Sequence, residues 1–437
     1  MHKLQLLWIS LIVVLGLIST TCFAQGQKDV AWLSPVVGDG YGVQVKEGDV
    51  ATDELRMMRD AGLGYVRFVM PWYAVEQSRD RFDWSYFDRF VQKMREAGLK
   101  AVIVLGAGHP DYTGTIALKG NEIVSEGTIN PAPADDAARA AFARYAAEAV
   151  RHFGATDIVW EIWNEPDQDI FWAPKANAND YAALANEACW AMRKVEPSVR
   201  IVGPATAETP GHWGALIPGF MTAILKSTVA DCFDALSVHP YRDRETPPET
   251  VGAAYEKFRA FIAAQTPTGR KNLSFLSTEW GFPTTEVTEY EQAAYLLRTY
   301  LLNTLHGVPL SIWYEWRDSR DGANDPEAHF GLLDRRRRPK EAYLTLKSFL
   351  PPLVGAKLEK RLEVGNPEDY VLWLQHPVKG HSLVYWTSDP QGDTNLMIRC
   401  EEGAIRGQEI RLTTMPQRVD CGATVPDITA VHYRVVK

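Results

Sequence analysis

Between about residue 41 and residue 350 the chain alternates short β-branched runs with amphipathic helical stretches, and this alternation limits the fold more than any other feature. Strands are expected at Tyr41–Val45, Tyr65–Met70, Lys100–Leu105, Ile158–Ile162, Arg200–Val202, Ala235–Val238, Leu273–Ser277 and Pro309–Tyr314. Helical patterns fall between and after them, at Thr52–Ala61, Asp83–Ala97, Ala137–Phe153, Tyr181–Val195, Leu216–Leu225, Val251–Ala264, Glu289–His306 and Lys340–Leu350. Gly62, Gly98, Gly154 and Gly307 stop several of them where a left-handed cap is expected. A doubly wound sheet would alternate too, but eight strand–helix pairs fit a closed parallel barrel better.

After Pro351-Pro352 the texture changes to short alternating runs separated by polar turns, at Tyr370–Leu374, Ser382–Trp386, Thr394–Ile398, Glu409–Leu412 and Val431–Val436. The expectation is α/β: a (β/α)8 TIM barrel over residues 25–352 and a C-terminal antiparallel β-sandwich over 353–437. The short Pro-rich junction offers little reach, so the sandwich should pack on the barrel. A chain of 437 residues suits a barrel of about 250 residues or more plus such a module.

The first 24 residues read as an export signal. Lys3 is followed by an apolar run from Leu6 to Ile18, too short to span a bilayer, and then by small residues up to Ala24. Secretion or export to a periplasm follows, without stable membrane insertion. Lipoprotein anchoring through Cys22 is disfavoured because Ser19 stands where such signals usually carry Leu. Cys189, Cys232, Cys400 and Cys421 remain, free to oxidise in an exported chain. Cys400 with Cys421 is the favoured pair, and Cys189 with Cys232 the other. No Cys/His spacing suggests a metal, and no cofactor is implied. The formal charge of −9 argues against a nucleic-acid partner, and Arg335 to Arg338 read as a solvated loop face.

Barrels of this kind place their chemistry at the C-terminal ends of strands. The fourth strand ends in Trp163-Asn-Glu-Pro166, where Glu165 follows the strand and Pro166 keeps it out of helical geometry. Glu161, inside the strand, reads as a structural carboxylate, and Asp167 as a helix cap. The seventh strand ends in Thr278-Glu-Trp280, aiming Glu279 at the same mouth. Two carboxyls facing each other about 5–5.5 Å apart suit retaining glycoside cleavage, one as acid/base and one as nucleophile.

With these residues in place, the chain resembles a clan A glycoside hydrolase, similar to family 39 and to the cellulase-like family 5 enzymes, over most of residues 41–350. The resemblance implies that Glu165, beside Asn164, is the acid/base and Glu279 the nucleophile of a retaining double displacement on a polysaccharide or oligosaccharide. It also implies sugar- or site-binding roles for Arg67 in Tyr65-Val-Arg-Phe68, for His239 and Tyr241 in His239-Pro-Tyr241, and for Trp316. His109 matches a sugar-binding position more loosely. Arg67 beside Glu279 would favour its carboxylate, and Tyr241 could hold its rotamer. Trp316 would stack under the sugar. Trp72, Trp172, Trp213 and Trp280 are candidates for further subsites. The same residues would serve a transglycosylase, whereas a non-catalytic carbohydrate-binding barrel would have no need of an intact Glu pair.

Overall fold

A computed structural model of the protein describes residues 27–28, 33, 36–46, 50–114, 116–117, 128–129, 131–207, 217–243, 246–270, 272–399, 408–423 and 427–431. The proposed leader with Cys22, Trp213, Cys400 and the end of the last expected strand lie outside these residues.

Eight strands close into a parallel barrel. They are β1 (Tyr41–Gln44), β2 (Tyr65–Pro71), β3 (Lys100–Gly106), β4 (Ile158–Ile162), β5 (Arg200–Thr206), β6 (Ala235–Val238), β7 (Phe275–Trp280) and β8 (Ser311–Trp313). Each pairs with its neighbours in sequence, and β8 returns to β1 through Ser311–Tyr41 and Trp313–Val43. The surrounding helices are α1 (Thr52–Asp60), α2 (Ser85–Glu96), α3 (Asp136–Phe153), α4 (Ala178–Val195), α5 (Ile217–Lys226), α6 (Val251–Gln265), α7 (Glu289–Leu305) and α8 (Glu341–Phe349). Side-chain caps fix several starts: Asp135 accepts from Ala138 N, and Thr288 with Glu291 forms a capping box. The four expected glycine stops all have positive φ.

The barrel interior is layered by the period of two along each strand. Leu33, Tyr65, Val102, Val159, Val202, Ala235, Leu276, Leu310 and Ile312 form one buried apolar plug. Two residues further along β2, β4 and β6 stand Arg67, Glu161 and Ser237, all fully buried. The apolar layer supports a polar layer directly above it, toward the C-terminal ends of the strands.

The C-terminal region forms two antiparallel sheets. One has the order β9–β10–β11–β14, from Lys357–Arg361, Asp369–His376, Gly380–Thr387 and Gln417–Gly422; the other places β12 (Asn395–Arg399) between β13 (Gln408–Arg411) and β15 (Asp427–Val431). Alternation along β10 and β11 divides their side chains. Val371, Leu383 and Tyr385 pack with Leu396 and Ile398 of the second sheet, while Tyr370, Leu372, Leu374, Val384 and Trp386 join the apolar cluster of the barrel. The sandwich therefore shares a core with the barrel, as expected. The two strands absent from the sequence reading, β9 and β14, are the edges of the first sheet. Edge strands carry charge, as in Lys357-Leu-Glu-Lys-Arg361, and so lack the apolar alternation that reveals inner strands.

A buried ion pair fastens this interface. Arg298 of α7 donates through Nε and Nη2 to the two Glu249 oxygens, each at 2.6 Å, and Trp386 Nε1 donates to Glu249 Oε1 at 2.8 Å. Cys189 of α4 and Cys232 are joined in a disulfide, and Cys421 is also disulfide-bonded. Glu249→Ala would leave the Arg298 charge buried without its acid. The expected cost is about 3–5 kcal/mol, read as a lower urea midpoint, with Trp386→Phe costing about 1 kcal/mol for one lost hydrogen bond.

Candidate active site

The polar layer converges on Arg67, whose side chain is completely buried. Its Nε donates to Glu161 Oε2 at 2.8 Å, Nη1 to Glu279 Oε2 at 2.7 Å, and Nη2 to Asn164 Oδ1 at 2.7 Å. Nη1 also donates to Gln44 Oε1 at the end of β1. Arg67 Nη2 lies 3.4 Å from His239 Nε2. One guanidinium on β2 thus ties together the ends of β1, β4, β6 and β7.

Arg67 can only donate, so His239 Nε2 must accept, and Nδ1 then carries the ring hydrogen. Burial pushes the imidazole below its ordinary value, keeping it neutral. His239 Nδ1 therefore donates to Glu165 Oε1, 2.7 Å away, and leaves the other Glu165 oxygen to bear a proton. Burial raises Glu165 to about 8 against the pull of Arg67, helped by the charges of Glu327 and Glu161. Glu279 is held differently. Tyr241 OH donates to its Oε1 at 2.8 Å while Arg67 takes Oε2, so both oxygens accept. Burial opposes charge on Glu161, yet Arg67, through its charge and its Nε hydrogen bond, holds it below the usual carboxylate range, as a structural counter-charge.

A Glu165 oxygen, a Glu279 oxygen and a His239 ring nitrogen all lie within 4.8 Å of one another. These ligand atoms are close enough to share a divalent ion, but the Arg67 guanidinium already supplies the compensating positive charge. The carboxyl spacing matches direct attack by one group and leaves no room for a water held between the two.

Local backbone geometry aims both acids. Of the seven described non-glycine residues with positive φ, four, Ala107, Trp163, Glu165 and Ala205, lie around the C-terminal ends of β3, β4 and β5. Such conformations cost about 1–3 kcal/mol each and persist where their surroundings enforce them. Here Glu165 N donates to Ala205 O at 3.0 Å, Trp163 N to Leu105 O at 2.8 Å, and Trp163 Nε1 to Phe171 O at 2.8 Å. Leu276 faces the barrel interior, so in a regular strand Glu279 would face outward toward the helices. The β7–β8 register shifts between Ser277 and Trp280, and this irregularity turns Glu279 into the mouth.

Arg67, Asn164, Glu165, His239, Tyr241 and Glu279 are thus brought together. The other candidates are not. Trp316 is 1% exposed, donates to Glu54 Oε1 of α1 at 3.1 Å and meets Tyr343 of α8 edge-on. It borders a cavity of about 290 Å3 that includes neither Glu165 nor Glu279. The strand ends at Trp313, and the period-two reading fails beyond it. Tyr314 takes the place near the site: its N donates to Trp280 O at 2.9 Å, and its ring meets Phe330, which in turn meets Tyr241. His109 is also withdrawn. Its Nδ1 accepts from Asp111 N at 3.1 Å in the local turn and its Nε2 meets Glu76 O, beyond β2, at 2.6 Å, so both ring nitrogens are engaged within the protein. Trp72, Trp172 and Trp280 are buried in the core rather than presented to a ligand. Asp167 caps no helix; it accepts from Ala207 N at 3.1 Å, and burial together with Glu165 raises it to about 6. Sequence reasoning missed Gln44 and Tyr314. Gln44 was accessible to the same strand-end logic, as the last residue of β1.

Residues 35–260 match the family model described as glycosyl hydrolases family 39. A β-xylosidase of Caldicellulosiruptor saccharolyticus is 26% identical over 53% of this chain and 48% of its own length, so the chain spans about half of that relative. A family 39 glycoside hydrolase from the gut symbiont Bacteroides cellulosilyticus WH2 superposes with a TM-score of 0.69, at 22% identity, covering 88% of this chain and 81% of that one. A GH39 β-xylosidase of Caulobacter crescentus gives a TM-score of 0.59 at 17% identity, covering 85% of each chain. At these identities the structural likenesses establish the shared fold.

The raised Glu165 value sets a stability signature independent of turnover. Between about pH 4.5 and pH 8 the unfolded chain has released this proton while the folded chain keeps it. Fewer protons are bound in the unfolded state, so stability falls as pH rises through this window. Glu165→Gln removes that contribution. The difference in unfolding free energy, variant minus wild type, should grow from pH 4.5 to pH 8, as measured by urea denaturation at each pH.

Proposed function

Because this chain belongs to family 39 of the glycosyl hydrolases, we propose that it is a retaining glycosidase that cleaves β-xylosidic bonds by double displacement. The observation that carries this reading is the Glu165–Glu279 pair, with oxygens within 4.8 Å across one mouth and opposite hydrogen-bond environments. The named β-xylosidases support the choice of sugar.

Glu279, held between Arg67 and Tyr241, attacks the anomeric carbon. Glu165 gives its proton to the departing oxygen as that bond breaks. The covalent glycosyl ester neutralises Glu279, which removes a negative charge from the mouth it shares with Glu165. Glu165 then takes a proton from water, which releases the sugar with its original configuration. Asn164 uses its oxygen on Arg67 and keeps its amide hydrogens for a sugar hydroxyl. His239 stays neutral and donates to Glu165 throughout, which fixes the carboxyl orientation.

We also propose export through the N-terminal leader, cleaved after Ala24, with residues 25–352 as the catalytic unit and 353–437 as its accessory sandwich. The disulfide-bonded Cys189, Cys232 and Cys421 suit an oxidising compartment.

Two measurements test the mechanism. Glu165→Gln should lower kcat/KM on xylobiose by about 10²–10⁴-fold and spare the glycosylation step of 2,4-dinitrophenyl β-xyloside, whose leaving group needs no proton. Equal losses on both substrates would remove the acid role. Glu279→Ala with azide should give the α-xylosyl azide; a β-azide would place the nucleophile elsewhere. In wild type, activity on xylobiose should fall as pH rises through about 8, where Glu165 loses its proton.

A further inference from the structure

The mouth of the barrel is polar on one arc and apolar on another. After β8 and β1, Lys46 reaches Ser319 Oγ at 2.9 Å and Glu315 and Glu327 at 3.6 Å, and Arg320 reaches Glu327 at 3.4 Å. The apolar arc emerges from exposure. Eight large apolar side chains stand exposed among the described residues. Tyr86, Trp190, Tyr290 and Leu344 lie on the outer helices, and Val378 on the β10–β11 turn. The other three, Tyr73, Ile170 and Phe171, follow β2 and β4 on the catalytic face.

Phe171 is 45% exposed although its backbone is firmly held. Gln168 N donates to Glu165 O at 3.0 Å, and Phe171 N donates to Gln168 O at 3.0 Å. Trp163 Nε1 clamps Phe171 O, and the neighbouring Trp172 is 1% exposed and packs edge-on to Trp163. Two nested turns thus connect the acid to an exposed aromatic ring on the same stiff segment. A side chain kept in water on a rigid loop, six residues after the proton donor, is placed for contact rather than for folding.

Chemistry decides what it would touch. The acid must stand beside the leaving oxygen, so whatever is attached to that oxygen departs along the β4 side of the mouth. Pyranose rings present C–H faces that stack on aromatic surfaces. We propose that Ile170 and Phe171, with Tyr73 on the loop after β2, form the leaving-group subsite, and that its occupant is the sugar ring beyond the scissile bond. This rests on the glycosidase reading and extends it: the apolar arc selects a saccharide leaving group, while the charged arc faces the sugar that is transferred.

The test compares two substrates with alkoxide leaving groups that differ by one ring, xylobiose and methyl β-xyloside. Phe171→Ala should lower kcat/KM for xylobiose by about 10-fold, the worth of one stacked ring, and reduce the preference for xylobiose over methyl β-xyloside by the same factor. Phe171→Trp should restore that preference. Trp190→Ala, an exposed aromatic on the outer face of α4, serves as the control and should leave it unchanged. An unaltered preference in Phe171→Ala, or equal losses on both substrates, overturns the subsite. Should wild type cleave neither xyloside, the xyloside reading fails by itself. The same comparison is then made with the disaccharide and methyl glycoside of whichever sugar an aryl-glycoside panel identifies, with the same two outcomes.

Discussion

A single buried cation organises this protein. Arg67 has no exposed side-chain surface, and two carboxylates, Glu161 and Glu279, lie within 2.8 Å of its nitrogens. A guanidinium stripped of water is tolerable only when its donors are matched, and the match here comes from the ends of four other strands. Those partners fix the rotamers of Asn164, Glu279 and, through Nε2, the tautomer of His239. The hydrogen-bond environment of Glu165 follows from that tautomer. Removing the guanidinium would therefore alter both acids at once, although only one of them touches it.

The same arrangement keeps the two acids chemically distinct. Glu279 accepts from two donors, one of them cationic, whereas Glu165 accepts from a neutral imidazole in a dry setting. Burial drives the second acid upward because no cation contacts it directly to offset the loss of water. Arg67 pulls in the opposite direction from a distance and only in part. Two chemically identical side chains thereby acquire different hydrogen-bond environments from their surroundings.

The apolar plug below this layer makes the polar layer possible. Tyr65 and Val159 point inward two residues before Arg67 and Glu161, so the strand repeat that builds the plug also lifts the charged pair toward the mouth. The plug keeps the floor of the site dry and rigid. The C-terminal sandwich adds a second support from outside. It shares the apolar cluster of the barrel helices, and Glu249, Arg298 and Trp386 lock the contact.

The sequence by itself determined the barrel, the sandwich and the two acids, since all of these are local: strand and helix periods, glycine stops, and the chemistry of short runs such as Trp163-Asn-Glu-Pro166. Resemblance to a known family, rather than periodicity, named Arg67, His239 and Tyr241, and Asn164 stands beside Glu165 in the same short run. Only the tertiary structure decided what lay beyond the regular ladder. The shifted register of β7 turns Glu279 inward, and the chain beyond Trp313 sends Trp316 to Glu54 while Tyr314 stays by the site. His109 spends one nitrogen on its own turn and the other on Glu76 O, 33 residues away, which no spacing announces. Period-two reasoning holds while hydrogen bonds to neighbouring strands fix the alternation of side chains. Where the ladder slips or ends, direction is set by contacts between residues as far apart in sequence as Arg67 and Glu279, and only the folded chain brings those together.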